Sequence, residues 1–76
     1  MNIKILGSGC AKCKQLEANA QKAVEESAVD ATIEKVTDMG AIMDYGVMMT
    51  PALVIDEDVK SVGKLLSADE IKKFLK

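Results

Sequence analysis

Histidine and tryptophan are absent from this 76-residue chain, and proline, tyrosine and phenylalanine occur once each. Without an imidazole there is no histidine base to activate a thiol or hydroxyl, and the commonest side-chain metal ligand is missing. Two aromatic rings make no platform for stacking bases, and a net charge of −2 without a basic run leaves no footprint for a phosphate backbone. Nucleic acid is therefore not an expected partner. The longest clean apolar run is Ala52-Leu53-Val54-Ile55, four residues against the roughly 20 of a spanning helix. The apolar stretch before the first cysteine is also shorter than a secretory signal core of about 7–15 residues. The expectation is a complete, cytoplasmic, monomeric chain with no membrane partner, folded as one domain over residues 1–76. A domain this small buries only about 60% of the surface its unfolded chain exposes, so its stability margin is thin.

What is present is concentrated early. Cys10-Ala11-Lys12-Cys13 holds the only two cysteines, and it follows an apolar stretch (Ile3, Ile5, Leu6) and Gly7-Ser8-Gly9. From Ala11 to about Ser27, Cys13, Leu16, Ala20, Ala23 and Val24 recur at spacings of three and four with polar residues between, which predicts an amphipathic helix. Residues 2–6 read as a buried strand, and Ala31–Val36 alternates as a strand at a sheet edge. Thr37 or Asp38 caps a short helix through Ile42 and Met43 that ends near Gly46. Ala52–Ile55 and Val59–Val62 form a hairpin across the acidic turn Asp56-Glu57-Asp58. Ser67-Ala68-Asp69-Glu70 is a capping box, and Ile71, Phe74 and Leu75 are the expected buried stripe of a last helix. The order is β-α-β-α-β-β-α, an α/β fold whose four-stranded mixed sheet is flanked by three helices, with a parallel crossover first and an antiparallel pair later.

Two thiols spaced by two residues at a strand-to-helix junction suit reversible dithiol chemistry. In a reducing compartment such a pair is more often catalytic or metal-binding than a permanent staple. The attacking species is a thiolate, and an unperturbed cysteine with pKa about 8.5 is mostly protonated at neutral pH. Unpaired N–H groups at a helix start stabilise the anion, and Lys12 and Lys14 add positive charge. On this reading Cys10, at the cap, is the exposed nucleophile. Cys13, one turn in and on the apolar stripe with Leu16, is the shielded resolving thiol.

With these elements in place, the chain resembles the small thioredoxin-fold proteins of the thioredoxin/glutaredoxin type, and most of all the short redox-active disulfide proteins of archaea and bacteria. The resemblance spans nearly the whole chain. It rests on Cys-x-x-Cys after the first strand, on Met49-Thr50-Pro51-Ala52-Leu53-Val54-Ile55, and on Gly63 before the final helix. It implies a cis Pro51 beside the cysteines, with Thr50 offering its backbone N–H and C=O to a substrate strand. Ala11, Lys12 and Met49 then complete the expected substrate-contacting set. It also implies protein disulfides as substrates, no cofactor beyond the Cys10–Cys13 pair, and recharging by a flavin- or ferredoxin-linked thioredoxin reductase. Where thioredoxins carry a buried acid about six positions before the first cysteine, this chain has Lys4, so no carboxylate is assigned to proton transfer. Gly63-Lys64-Leu65-Leu66 replaces the glycine-rich, acidic start of a glutaredoxin's last helix, so no glutathione site is assigned.

Met39, Met43, Met48 and Met49 cluster near the expected active edge, with core filling an equal alternative for Met39 and Met43. Two other functions use the same thiols: a soft-metal carrier binding a Cu(I)-type ion between them, and a redox-sensing adaptor. A small metal carrier that opens on strand, Cys-x-x-Cys and helix ends in a strand. This chain ends in a capped helix and has an extra helix before Pro51, which favours the oxidoreductase.

Overall fold

The computed structural model describes residues 1–7 and 11–75. Ser8, Gly9, Cys10 and Lys76 lie outside the described residues, and with them the expectations placed on Cys10 and on the turn before it. The elements are β1 (Asn2–Leu6), α1 (Ala11–Ser27), β2 (Thr32–Val36), α2 (Met39–Asp44), β3 (Ala52–Ile55), β4 (Asp58–Val62) and α3 (Ala68–Lys72). They follow the order read from the sequence. Strand order in the sheet is β2-β1-β3-β4. β1 runs parallel to β2, from Asn2 opposite Thr32 to Leu6 opposite Val36, and antiparallel to β3, which pairs antiparallel with β4.

The period of two along the central strands builds two cores from one sheet. Ile3, Ile5, Leu53 and Ile55 point to one face, where they pack with Leu16, Ala20 and Ala23 of α1 and Ile71 of α3. Leu6, Ala52 and Val54 point to the other, where Ile42 of α2 and Val47 cover them. All four residues of β3 are buried, which accounts for its lack of polar alternation. β2 and β4 are the edges, and their mostly exposed or half-buried residues match that place.

The caps hold as read. The Asp38 carboxylate accepts from the Ala41 N–H at 3.0 Å, and Gly46, with φ +76°, donates to the Met43 carbonyl at 2.8 Å. In α3 the Ser67 hydroxyl accepts from the Glu70 N–H while the Glu70 carboxylate accepts from the Ser67 N–H. α1 ends on Ala28 in the left-handed region, φ +54°.

Three details depart from expectation. The acidic turn closes in two residues, Asp56 and Glu57, both with positive φ, so Asp58 joins β4 opposite Ile55. α3 is five residues long: Ile71 within it and Leu75 beyond its end are buried, and Phe74 is not. Phe74 is 37% exposed, with the Lys60 ammonium 6.0 Å from its ring centroid. Finally, of the two alternatives for Met39 and Met43, core filling does not hold: both are exposed. None of the described helices is long and apolar enough to cross a membrane.

Candidate active site around Cys13

Cys13 is the third residue of α1 and belongs to the stripe that buries Leu16, Ala20 and Ala23. Its side chain is 5% exposed. Beneath it, β1 has just ended at Gly7, a buried residue whose N–H donates to the Val36 carbonyl at 2.9 Å. A Cβ built on Gly7 would collide with the Cys13 sulfur and would stand 3.8 Å from the Thr50 Cβ. The sulfur, the bare strand end and Thr50 therefore meet at one point. The sequence offered one sign of this, a glycine at the end of a buried strand, which often marks close approach of another group.

Thr50 and Pro51 lie between α2 and β3, joined by a cis peptide. Pro51 is fully buried, and its carbonyl accepts from the Gly63 N–H at 2.8 Å. Gly63 has φ +70°, and a Cβ there would lie 3.1 Å from the Met49 Cβ, so Met49 rests over it. Met39, Ile42, Met43, Val47, Met48 and Thr50 line one groove of about 300 Å³. Ala11 and Lys12 are exposed on the first turn of α1.

A smaller pocket of about 60 Å³ opens beside Cys13, lined by Ile5, Gly7, Lys14, Lys35 and Thr37. Lys35 and Thr37 had no local signal in the sequence. The parallel pairing of β1 with β2 brings both strands' C-terminal ends to the same edge of the sheet, and these two residues come with it. Lys14 and Lys35 are the two cationic side chains among the residues lining the pocket. Lys35 also lies 3.9 Å from a Glu17 carboxylate oxygen, which offsets part of that charge.

Lys4 sits on the α2 side of the sheet and is engaged elsewhere. Its ammonium donates to Glu57 Oε1 at 2.7 Å and to the Tyr45 hydroxyl at 2.8 Å, and that hydroxyl donates to Glu57 Oε2 at 3.0 Å. Hydrogen bonding to Glu57, then to Tyr45, holds Lys4 above the ordinary lysine range, and the Lys4 bond in turn pulls the Glu57 carboxyl below its own. Tyr45 and Glu57 thus tie α2 and the hairpin turn to β1.

A mixed sheet in this order, with a cysteine on the first helix packed against the end of the first strand and a Thr-Pro step entering the third, defines the thioredoxin class of folds. The family model for the thioredoxin domain matches residues 1–76. A thioredoxin of Methanothermobacter thermautotrophicus is 44% identical over 75 residues, covering 99% of this chain and 97% of that protein. A thioredoxin of Methanocaldococcus jannaschii is 46% identical over 74 residues, covering 97% of this chain and 85% of that protein. The chain belongs to the thioredoxin family. That membership does not favour the soft-metal carrier.

Proposed function

We propose that this thiol–disulfide oxidoreductase of the thioredoxin family reduces disulfides in proteins, with Cys10 as nucleophile and Cys13 as resolving thiol. The Cys10 thiolate attacks one sulfur of a substrate disulfide; a Cys10–substrate bond forms, the substrate S–S bond breaks, and the departing sulfur takes a proton. Cys13 then attacks Cys10, and the mixed disulfide breaks to release the second substrate thiol. Two electrons and two protons pass to the substrate, and the Cys10–Cys13 disulfide remains. A thioredoxin reductase, flavin- or ferredoxin-linked, returns it to the dithiol. No cofactor other than the cysteine pair takes part. Residues 1–76 act as one domain, a cytoplasmic monomer, with substrate backbone against Thr50 and Pro51 and side-chain contact from Ala11, Lys12 and Met49.

The observation that carries this reading is the seat of Cys13: its sulfur is sheltered in the first turn of α1 yet lies over Gly7, beside Thr50. A sulfur so sheltered from solvent suits a resolving thiol, which does not have to meet an incoming disulfide. The test is a pair of variants assayed for reduction of a protein disulfide. Cys10→Ser is expected to abolish turnover, and Cys13→Ser to accumulate a mixed disulfide visible as an added substrate mass. Undiminished turnover in both would end the mechanism.

A further inference from the structure

The chain keeps methionine out of its core. The buried apolar residues are isoleucine, leucine, valine, alanine, proline and Cys13, whereas all five methionines are exposed. Four of these lie within eleven residues: Met39 is 63% exposed, Met43 68%, Met48 92% and Met49 63%. Met39, Met43 and Met48 line a single groove together with Thr50, and Met49, next to Thr50 in the chain, rests over Gly63, whose N–H donates to the Pro51 carbonyl. A surface that needed only apolar contact is equally well made of leucine. What thioether sulfur adds is its chemistry: exposed, it is oxidised reversibly to a polar sulfoxide.

We propose that Met39, Met43, Met48 and Met49 form a peroxide-responsive rim of the active site, whose oxidation to sulfoxide weakens docking of the disulfide-bearing polypeptide. This rests on the function proposed above, because Thr50, which lines the groove, also stands beside the Gly7 strand end that the Cys13 sulfur covers. The occupant it fits is a substrate chain with apolar side chains flanking its disulfide. In the modifying step a sulfur lone pair attacks one oxygen of hydrogen peroxide. An S=O bond forms, the O–O bond breaks, and the second oxygen leaves as water. The methionine sulfur loses two electrons and the peroxide gains them. The product is a strong hydrogen-bond acceptor that must shed water before an apolar side chain can cover it. Cys13, being buried, is shielded while the rim is modified. In the chain whose cysteines are already paired, peroxide thus lowers substrate affinity through the rim alone, and a dithiol-dependent methionine sulfoxide reductase, supplying two electrons and two protons per sulfoxide and releasing water, restores it.

The test uses the whole chain with Cys10 and Cys13 held as a disulfide during peroxide treatment. After the peroxide is removed, peptide masses report oxygen addition at each methionine, and insulin reduction driven by dithiothreitol reports kcat and KM. The expected result is oxygen addition at all four rim positions and a KM raised by about fivefold or more with kcat unchanged. The Met39→Leu/Met43→Leu/Met48→Leu/Met49→Leu variant should keep its KM through the same treatment, and the single variant Met48→Leu should lose part of the response. An unchanged KM in the oxidised wild-type chain, or an equal rise in the four-leucine variant, would overturn the inference and leave the proposed function standing. Failure of the untreated chain to reduce insulin would sink both.

Discussion

The Cys13 sulfur occupies the volume into which a side chain on Gly7 would project. A cysteine one turn inside a helix and a glycine at the end of a strand are thereby a single packing unit, and the thiol's depth is set by the absence of a Cβ below it. Gly7→Ala must push the sulfur, and with it the first turn of α1, away from the sheet. Overpacking of this kind destabilises by about 1–3 kcal/mol. The expected outcome is a lower urea midpoint with an unchanged denaturant slope, together with slower resolution of the mixed disulfide in a mass-resolved time course. A wild-type rate of resolution would show that the sulfur does not depend on this seat.

The Lys4–Glu57–Tyr45 network sets a pH window for stability. Glu57 titrates below its ordinary 4.5 in the folded chain, so its contribution is complete above that value and is lost as acid drives pH down through the folded value. Lys4 titrates above its ordinary 10.5, so its contribution is complete below that value and is lost as pH rises through the folded one. The urea midpoint should therefore be level between about 4.5 and 10.5 for this pair and fall outside it. Glu57→Gln should shrink both falls, and the exposure of Glu57 keeps the effect small. A pH profile identical in wild type and variant would disconnect the network from stability.

Ser67 caps α3, and α3 is tied to α1 through Lys72, whose ammonium donates to Glu26 at 2.8 Å. Ser67→Ala removes the acceptor for the Glu70 N–H and should cost about 1 kcal/mol, read from equilibrium unfolding. Because Ile71 of this short helix and Leu75 just beyond it reach the core, amide exchange should rise first in residues 68–75.

Ala28 ends α1 at φ +54°, a conformation that a side chain disfavours and glycine adopts freely. Ala28→Gly is expected to stabilise the chain by roughly 0.5–1 kcal/mol, read as a higher melting temperature with redox activity unchanged. A neutral or destabilising result would mean that glycine's greater freedom in the unfolded chain outweighs the relief.

Local rules located most elements because each is written in neighbouring residues. The three- and four-residue spacing of Leu16, Ala20 and Ala23, the Asp38 cap and the Ser67–Glu70 box all act within a turn or two, and each appears where its residues place it. Phe74 lies beyond the reach of such local rules. It stands three residues after Ile71 and fits a helical stripe, but α3 closes at Lys72 and gives the inward positions to Ile71 and Leu75. The methionines are a second case: composition leaves an unbranched thioether equally suited to a core gap or a surface, and only the packing of Ile42 and Val47 over Leu6 left Met39 and Met43 outside.

From residues alone came the motif, the element order and the burial of Cys13, since spacing along a helix needs no distant partner. The tertiary structure decided what surrounds that sulfur. Gly7, Lys35 and Thr50 lie 6, 22 and 37 positions from Cys13 in the chain and converge on it because β1 pairs with β2 on one side and β3 on the other. Hydrogen-bonded register between strands brings such residues together, and it is a property of the assembled sheet that no local stretch of sequence carries.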